Sequence, residues 1–333
     1  MRTRFPLIVL VLIALVPKAQ AQDPQLSQFY AAPMYLNPAL TGNTYQDRIG
    51  LNYRLQWPGI APGFETYAVS YDHNNAKAHS GYGFMVMHDE AGTNGLSFTH
   101  IGGSYSYEAR INHENAIRFG MRLGYTLRQI DLGNYLFADQ VIRDGAPTTL
   151  EPTLLANTSY FDASMGAMYY GEHLWFGASF SHINRPQQTL LVSGDTRLPV
   201  RTSIHTGYRI AMDEKSMARS KSTFNIAAHY KAQQDWDQLD VGVYVDHNPF
   251  LAGLWYRGLP GLKAYKPGYP NHDAVILMAG FQTPKQLRFI YSYDITISWQ
   301  GVKTGGAHEI SLVYEWPARH KNKKFHMVPC PKF

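Results

Sequence analysis

Apolar and polar residues alternate with a period of two along most of this chain. In 115–130, Ile117, Phe119, Met121, Leu123, Tyr125 and Leu127 share one parity. Arg118, Gly120, Arg122, Gly124, Thr126 and Arg128 share the other. A helix would scatter those arginines around its circumference, whereas a strand puts them all on one face. Four more segments repeat the split. In 47–57, Arg48 and Arg54 oppose Ile49, Leu51, Tyr53 and Leu55. In 236–245, Asp240, Gly242 and Tyr244 oppose Leu239, Val241 and Val243. In 285–295, Arg288, Ser292 and Asp294 oppose Leu287, Phe289 and Tyr291. In 307–316, Glu309, Ser311 and Glu315 oppose Ile310, Leu312 and Tyr314.

Weaker alternation marks 64–74, 81–90, 95–110, 159–170, 173–183, 200–212, 222–232, 248–257 and 272–283. The pattern predicts about fourteen strands of ~10 residues, the length a tilted strand needs to span a bilayer. The long connections, 131–158, 184–199, 258–271 and 296–306, all follow odd-numbered strands. The even connections are mostly short, as at Gly171-Glu172 and Pro284, with 213–221 an exception. Outer-membrane barrels have short periplasmic turns and longer outer loops. An even strand count and this bias predict both termini in the periplasm.

A soluble sandwich also alternates. Aromatic residues near strand ends favour a barrel: Tyr53, Trp57, Tyr67, Tyr71, Tyr169, Tyr170, Trp255, Tyr256, Trp299, Tyr314 and Trp316 suit the two membrane interfaces. The expected fold is therefore all-β, a transmembrane antiparallel barrel of the outer membrane. Composition agrees. Aromatics make up 14% of the chain and charged residues only 17%, and the mean hydropathy is −0.29. A barrel gives such an average because only every second residue meets lipid.

The N-terminus carries Arg2 and Arg4, an apolar run from Leu7 to Val16, and the small-x-small set Ala19-Gln20-Ala21. This reads as a signal peptide, 1–21. Its removal takes three positive charges, and the formal charge falls from +5 to +2, which gives no case for nucleic acid. Residues 22–46 form an arm whose prolines at 24, 33 and 38 exclude one regular element and allow a turn of helix. It is expected to lie in the periplasm. The barrel is expected over 47–316. A basic periplasmic tail, 317–333, carries Arg319, Lys321, Lys323 and Lys324, with the single cysteine, Cys330, near its end. The tail and that thiol are candidate contacts for a partner.

The inward face is expected to be a watered lumen lined by small residues and by paired charges: Arg48, Arg54, Arg118, Arg122, Arg128, Arg209 and Arg288 against Asp240, Asp294, Glu309 and Glu315. The fourteen histidines show no zinc spacing, so no metal is expected. Ser179, Ser181 and His182 are adjacent, but nothing marks a nucleophile or an oxyanion hole. No cofactor and no enzymatic activity are expected.

One stretch is specific. Asp23-Pro24 precedes Ser27-Gln28-Phe29, and Asn37-Pro38-Ala39 then leads to Gly42. This resembles the start of mature PorP/SprF proteins of the Bacteroidota, and the following segment has the length of their barrel. The resemblance implies a non-enzymatic outer-membrane component of type IX secretion and gliding motility. It implies periplasmic secretion components or a cargo surface protein as partners. Two further classes stay open on the residues alone: a passive channel or hydrophobic-solute transporter, and a barrel lipase.

Overall fold

A computed structural model describes residues 23–317, except 61–62, 93–94, 113–114, 132–136, 146–154, 193, 214–221, 260–263, 267–268 and 300. The expected signal peptide and nearly all of the tail, including Arg319, Lys321, Lys323, Lys324 and Cys330, lie outside the described residues.

Among the described residues, fourteen strands close into one antiparallel barrel in which each strand pairs with its neighbours in sequence. They are β1 (Asp47–Gln56), β2 (Phe64–Asn75), β3 (Ser80–Ala91), β4 (Leu96–Arg110), β5 (Ala116–Gln129), β6 (Asn157–Tyr170) and β7 (Leu174–Ser181). The second half comprises β8 (Arg201–Ala211), β9 (Ser222–Gln233), β10 (Trp236–His247), β11 (Phe250–Gly258), β12 (His272–Gln282), β13 (Leu287–Thr296) and β14 (Ala307–Glu315). Pairing of β1 with β14 closes the cylinder, with Arg48 opposite Glu315 and Arg54 opposite Glu309. Closure leaves no unpaired edge, which the hydrocarbon core of a membrane requires.

The alternation explains the two faces. On β5, Phe119, Met121, Leu123 and Tyr125 are 45–57% exposed, while Arg118 and Arg122 are 3% exposed. An apolar outer surface of this kind is stable against lipid and not against water. The substitution Leu123→Arg tests this. Leu123 sits at the middle of β5 on the outer face, where a charge meets the bilayer midplane. Folding into vesicles should weaken by about 2–4 kcal/mol. A denaturant titration that shows no change would place this face away from lipid.

The loop asymmetry follows the expected sets. The long connections β5–β6, β7–β8 and β11–β12 all join strand ends at one mouth, and short turns such as 171–173 and 248–249 lie at the other. The aromatic reading needs two corrections. Trp255 and Tyr170, each 2% exposed, point inward instead of joining an outer girdle. Both share parity with inward polar residues of their strands, and that parity outweighs their position near a strand end.

Candidate functional site: an occupied lumen

The interior is filled by the chain's own arm. Gln28, Asn37, Ala39, Leu40, Thr41 and Thr44 have 0% exposure. The arm runs through a short turn at Phe29–Ala31, a helical turn at Pro33–Leu36 and a second short turn at Pro38–Leu40. Pro33 and Pro38 each open a turn, where the missing N–H loses nothing and the ring fixes a helical φ. Asn37 caps the last turn by accepting from the Ala39 N–H at 2.9 Å.

Such an arm cannot satisfy its backbone by a ladder, so the wall does it. At the long-loop mouth, Asp23 meets His182 Nε2 and the Arg201 guanidinium, both at 2.8 Å. His182 Nδ1 meets Asp162 at 2.7 Å, and Arg201 donates to the Tyr35 hydroxyl at 2.7 Å. Deeper, Glu309 accepts from the Ser27 and Gln28 N–H groups at 2.7 and 2.9 Å. Ser27 Oγ donates to Asp294 at 2.6 Å and accepts from Arg54 at 2.6 Å and Arg257 at 2.7 Å. Phe29 packs against Trp255 and His229, with ring centroids 5.2 and 4.6 Å apart. Arg122 donates to the Met34 carbonyl and Ser179 to that of Leu36, at 3.0 and 2.9 Å. Arg118 and Ser106 both donate to the Thr41 carbonyl. The Gly42 N–H reaches Asp72 at 2.6 Å beside the short turns.

Glycines make the seat. A Cβ on Gly120 would stand 2.3 Å from the Ala39 nitrogen, and one on Gly166 would stand 2.0 Å from Asn37 Oδ1. Gly42, at φ +68°, needs the left-handed region that only glycine enters freely.

Two expectations are thereby overturned. The arm was expected to lie in the periplasm, and the inner face to suit a watered lumen; the arm instead lies packed against that face. Asp23 sits at the long-loop mouth, whereas the Trp316 N–H bonds the Asp47 carbonyl at the short-turn mouth. An even strand count fixes where the strands end but not where a threaded arm begins.

Each arm residue singled out from sequence has a place in this packing. Asp23, Ser27, Gln28, Asn37 and Gly42 make the bonds above, Pro38 lies against Gly120, and Pro24 lines a cavity at the mouth. Of the expected lumen charges, Arg54 bridges Asp294 and Glu309 at 3.0 and 3.1 Å. Arg48 pairs with Asp72 at 2.7 Å, and Arg288 lies 3.8 Å from Glu315. Arg209 is peripheral, donating to Asn225 at 3.4 Å. Arg128 donates to Gln188 at 2.8 Å. The sequence reading missed Arg257, which is 2% exposed and bonds Asp240 and Asp294 at 2.8 and 2.9 Å. Its parity opposite to the apolar Phe250, Leu254 and Tyr256 was the available signal. Ser179 and His182, weighed as catalytic, are both spent on the arm.

The mouth cluster is pH-sensitive. Burial alone would raise the Asp23 carboxyl, but the His182 and Arg201 cations overcome it and hold its pKa below the ordinary 3.8. Burial alone would lower the His182 imidazole, and Asp23 and Asp162 instead raise it from 6.5 to about 9. A depressed acid stabilises above its unfolded pKa, and a raised base stabilises below its own. The latch is therefore fully formed between roughly pH 4 and 6.5, weakens below that window, and loses the His182 contribution as pH rises through about 9. Protease cleavage at the arm's first residues should accelerate above pH 9 and not between pH 5 and 6. A flat profile would contradict the latch.

A family model described as type IX secretion system membrane protein PorP/SprF matches residues 18–314. No curated protein matches the chain. Among solved structures, the Acinetobacter baumannii outer membrane protein Omp33 has a TM-score of 0.44 at 7% identity, covering 83% of this chain and 100% of its own. The P. putida toluene transporter TodX gives 0.44 at 11%, covering 84% and 92%. The KdgM porin in complex with disordered oligogalacturonate gives 0.37 at 7%, covering 81% and 99%.

Proposed function

Because this chain belongs to the PorP/SprF family of type IX secretion system membrane proteins, we propose that it serves secretion as a plugged, non-enzymatic outer-membrane barrel. It holds a secreted surface protein at its long-loop mouth and does not conduct that protein through its lumen. The supporting observation is the arm, which occupies the interior from Asp23 at one mouth to Gly42 at the other. A fourteen-strand barrel whose own wall glycines are shaped around that arm has no open path for a polypeptide. In this reading the long loops face outward, the usual arrangement of such barrels. The short-turn mouth, where the tail begins, faces periplasmic components of the machinery. A passive channel is the competing reading, and the filled lumen speaks against it.

Cells that lack this chain should lose a type IX cargo from their surface, and the intact gene should restore it. Restoration should also follow from a variant whose arm is fixed to the wall by a disulfide, because the lumen need not open. Normal surface display without the chain would refute the role. Rescue by the intact chain but not by the fixed one would refute the plugged mode of action.

A further inference from the structure

Above the arm, a cavity of ≈ 340 Å³ opens at the long-loop mouth. Its floor is Asp23–Gln25, its wall runs from β1 to β6, and Gln188 and Leu198 of the loop before β8 close the far side. The pairing sets three of its residues in one row. Asp89 on β3 stands opposite Phe98 on β4, and Phe98 stands opposite Arg128 on β5. A carboxylate and a guanidinium therefore flank a ring, two strand spacings or roughly 10 Å apart at their Cα positions.

Most of the lumen arginines are paired with carboxylates. Arg54, Arg118, Arg201 and Arg257 all make ion pairs. Asp89 and Arg128 make none with a described residue. Asp89 accepts only the Thr66 hydroxyl, at 2.6 Å, and Arg128 reaches the Gln188 amide. Both are half-buried. A charge withdrawn from water without an opposite partner leaves free energy for a ligand to recover. Trp57 and Phe64, with ring centroids 5.7 Å apart, add an aromatic rim.

We propose that this cavity binds a short peptide stretch, with a cationic group at Asp89, an apolar group over Phe98 and an anionic group at Arg128. Three residues reach about 10 Å end to end, comparable with the separation of the two Cα positions. The volume is that of a small-ligand site. A hydrocarbon or a neutral sugar would leave both charges without an opposite partner. The same chemistry has two sources. A free tripeptide supplies its own termini, and a protein segment supplies charged side chains. The second source deepens the proposed function and rests on it; peptide binding is read on purified protein and secretion in cells, so the two fail separately.

The test uses the folded full chain in detergent and tryptophan fluorescence or calorimetry. The probes are a capped lysine-phenylalanine-glutamate peptide, a capped glutamine-phenylalanine-glutamine peptide, and free alanine-phenylalanine-alanine. A charged probe should bind at least about tenfold more tightly than the glutamine control, since two ion pairs are gained. The double variant Asp89→Asn/Arg128→Gln should erase that difference. Binding of the capped charged probe alone assigns a protein segment, and binding of the free tripeptide alone assigns a free peptide. Equal binding of the glutamine control, or no binding of either charged probe, overturns the proposal. The comparison among probes is made on the unmodified protein, so it survives a variant that fails to fold.

Discussion

In-frame removal of residues 23–42 should turn a closed cylinder into a conducting one. Barrels of about eight strands fill their interior with side chains, whereas those of 16–18 strands leave an aqueous channel. Fourteen strands give a lumen too wide for its own wall to close, and this wall is partly glycine where the arm sits. Without the arm, Glu309, Arg122, Arg118 and Asp72 lose partners that they now meet within hydrogen-bond distance. Water must then replace the arm, since buried charges and polar groups do not stay unpaired. Ion flux in planar bilayers should rise by about an order of magnitude or more over the full chain. A gel shift on heating would show that the shortened barrel is folded. Gly120→Gln provides a second route, because its side chain would enter the space held by Pro38 and Ala39. It should raise flux while every arm residue is kept. Equal conductance of the full and shortened chains would mean that the arm does not seal the lumen.

How much of this was legible in the sequence depended on which interactions have a period. Strands alternate, so Arg118, Arg122, Asp294 and Glu309 could be assigned to one face from parity alone, and the structure places them inward. The membrane side was legible for the same reason. The arm has no such period. Ser27, Gln28 and Asn37 are polar whether they meet water or a wall, so their sequence marked them as specific without saying where they lie. Glycine was ambiguous in a similar way. Gly120 read as small lumen lining, although its lack of a Cβ serves close approach of the arm backbone. Trp255 was misplaced because an aromatic near a strand end suits both an interface and a filled interior. Its parity with Arg257 and its burial against Phe29 decide between them.

The most damaging single substitution among the described residues should be Arg257→Leu. The guanidinium is 2% exposed and meets Asp240 at 2.8 Å, Asp294 at 2.9 Å and Ser27 Oγ at 2.7 Å, with Asp273 at 3.8 Å. It thus ties β10, β13 and the arm to β11 at one point. Leucine fills similar space but leaves Asp240 with only the Gln238 amide at 2.7 Å, and leaves Asp294 sharing Arg54 with Glu309. Removing one partner of a buried pair destabilises by about 3–5 kcal/mol, because the surviving charge stays desolvated. That is a large fraction of the total stability of an ordinary domain. The urea midpoint of the refolded barrel should fall accordingly, and lumen conductance should appear because Ser27 loses its hold. Arg257→Lys keeps the charge but not the planar fork and should lie between the two. Adding Asp240→Asn to Arg257→Leu should recover part of the loss, since the stranded carboxylate is then neutral. If Arg257→Leu alone left the midpoint unchanged, the arm would be held by its glycine seat and not by this charge cluster.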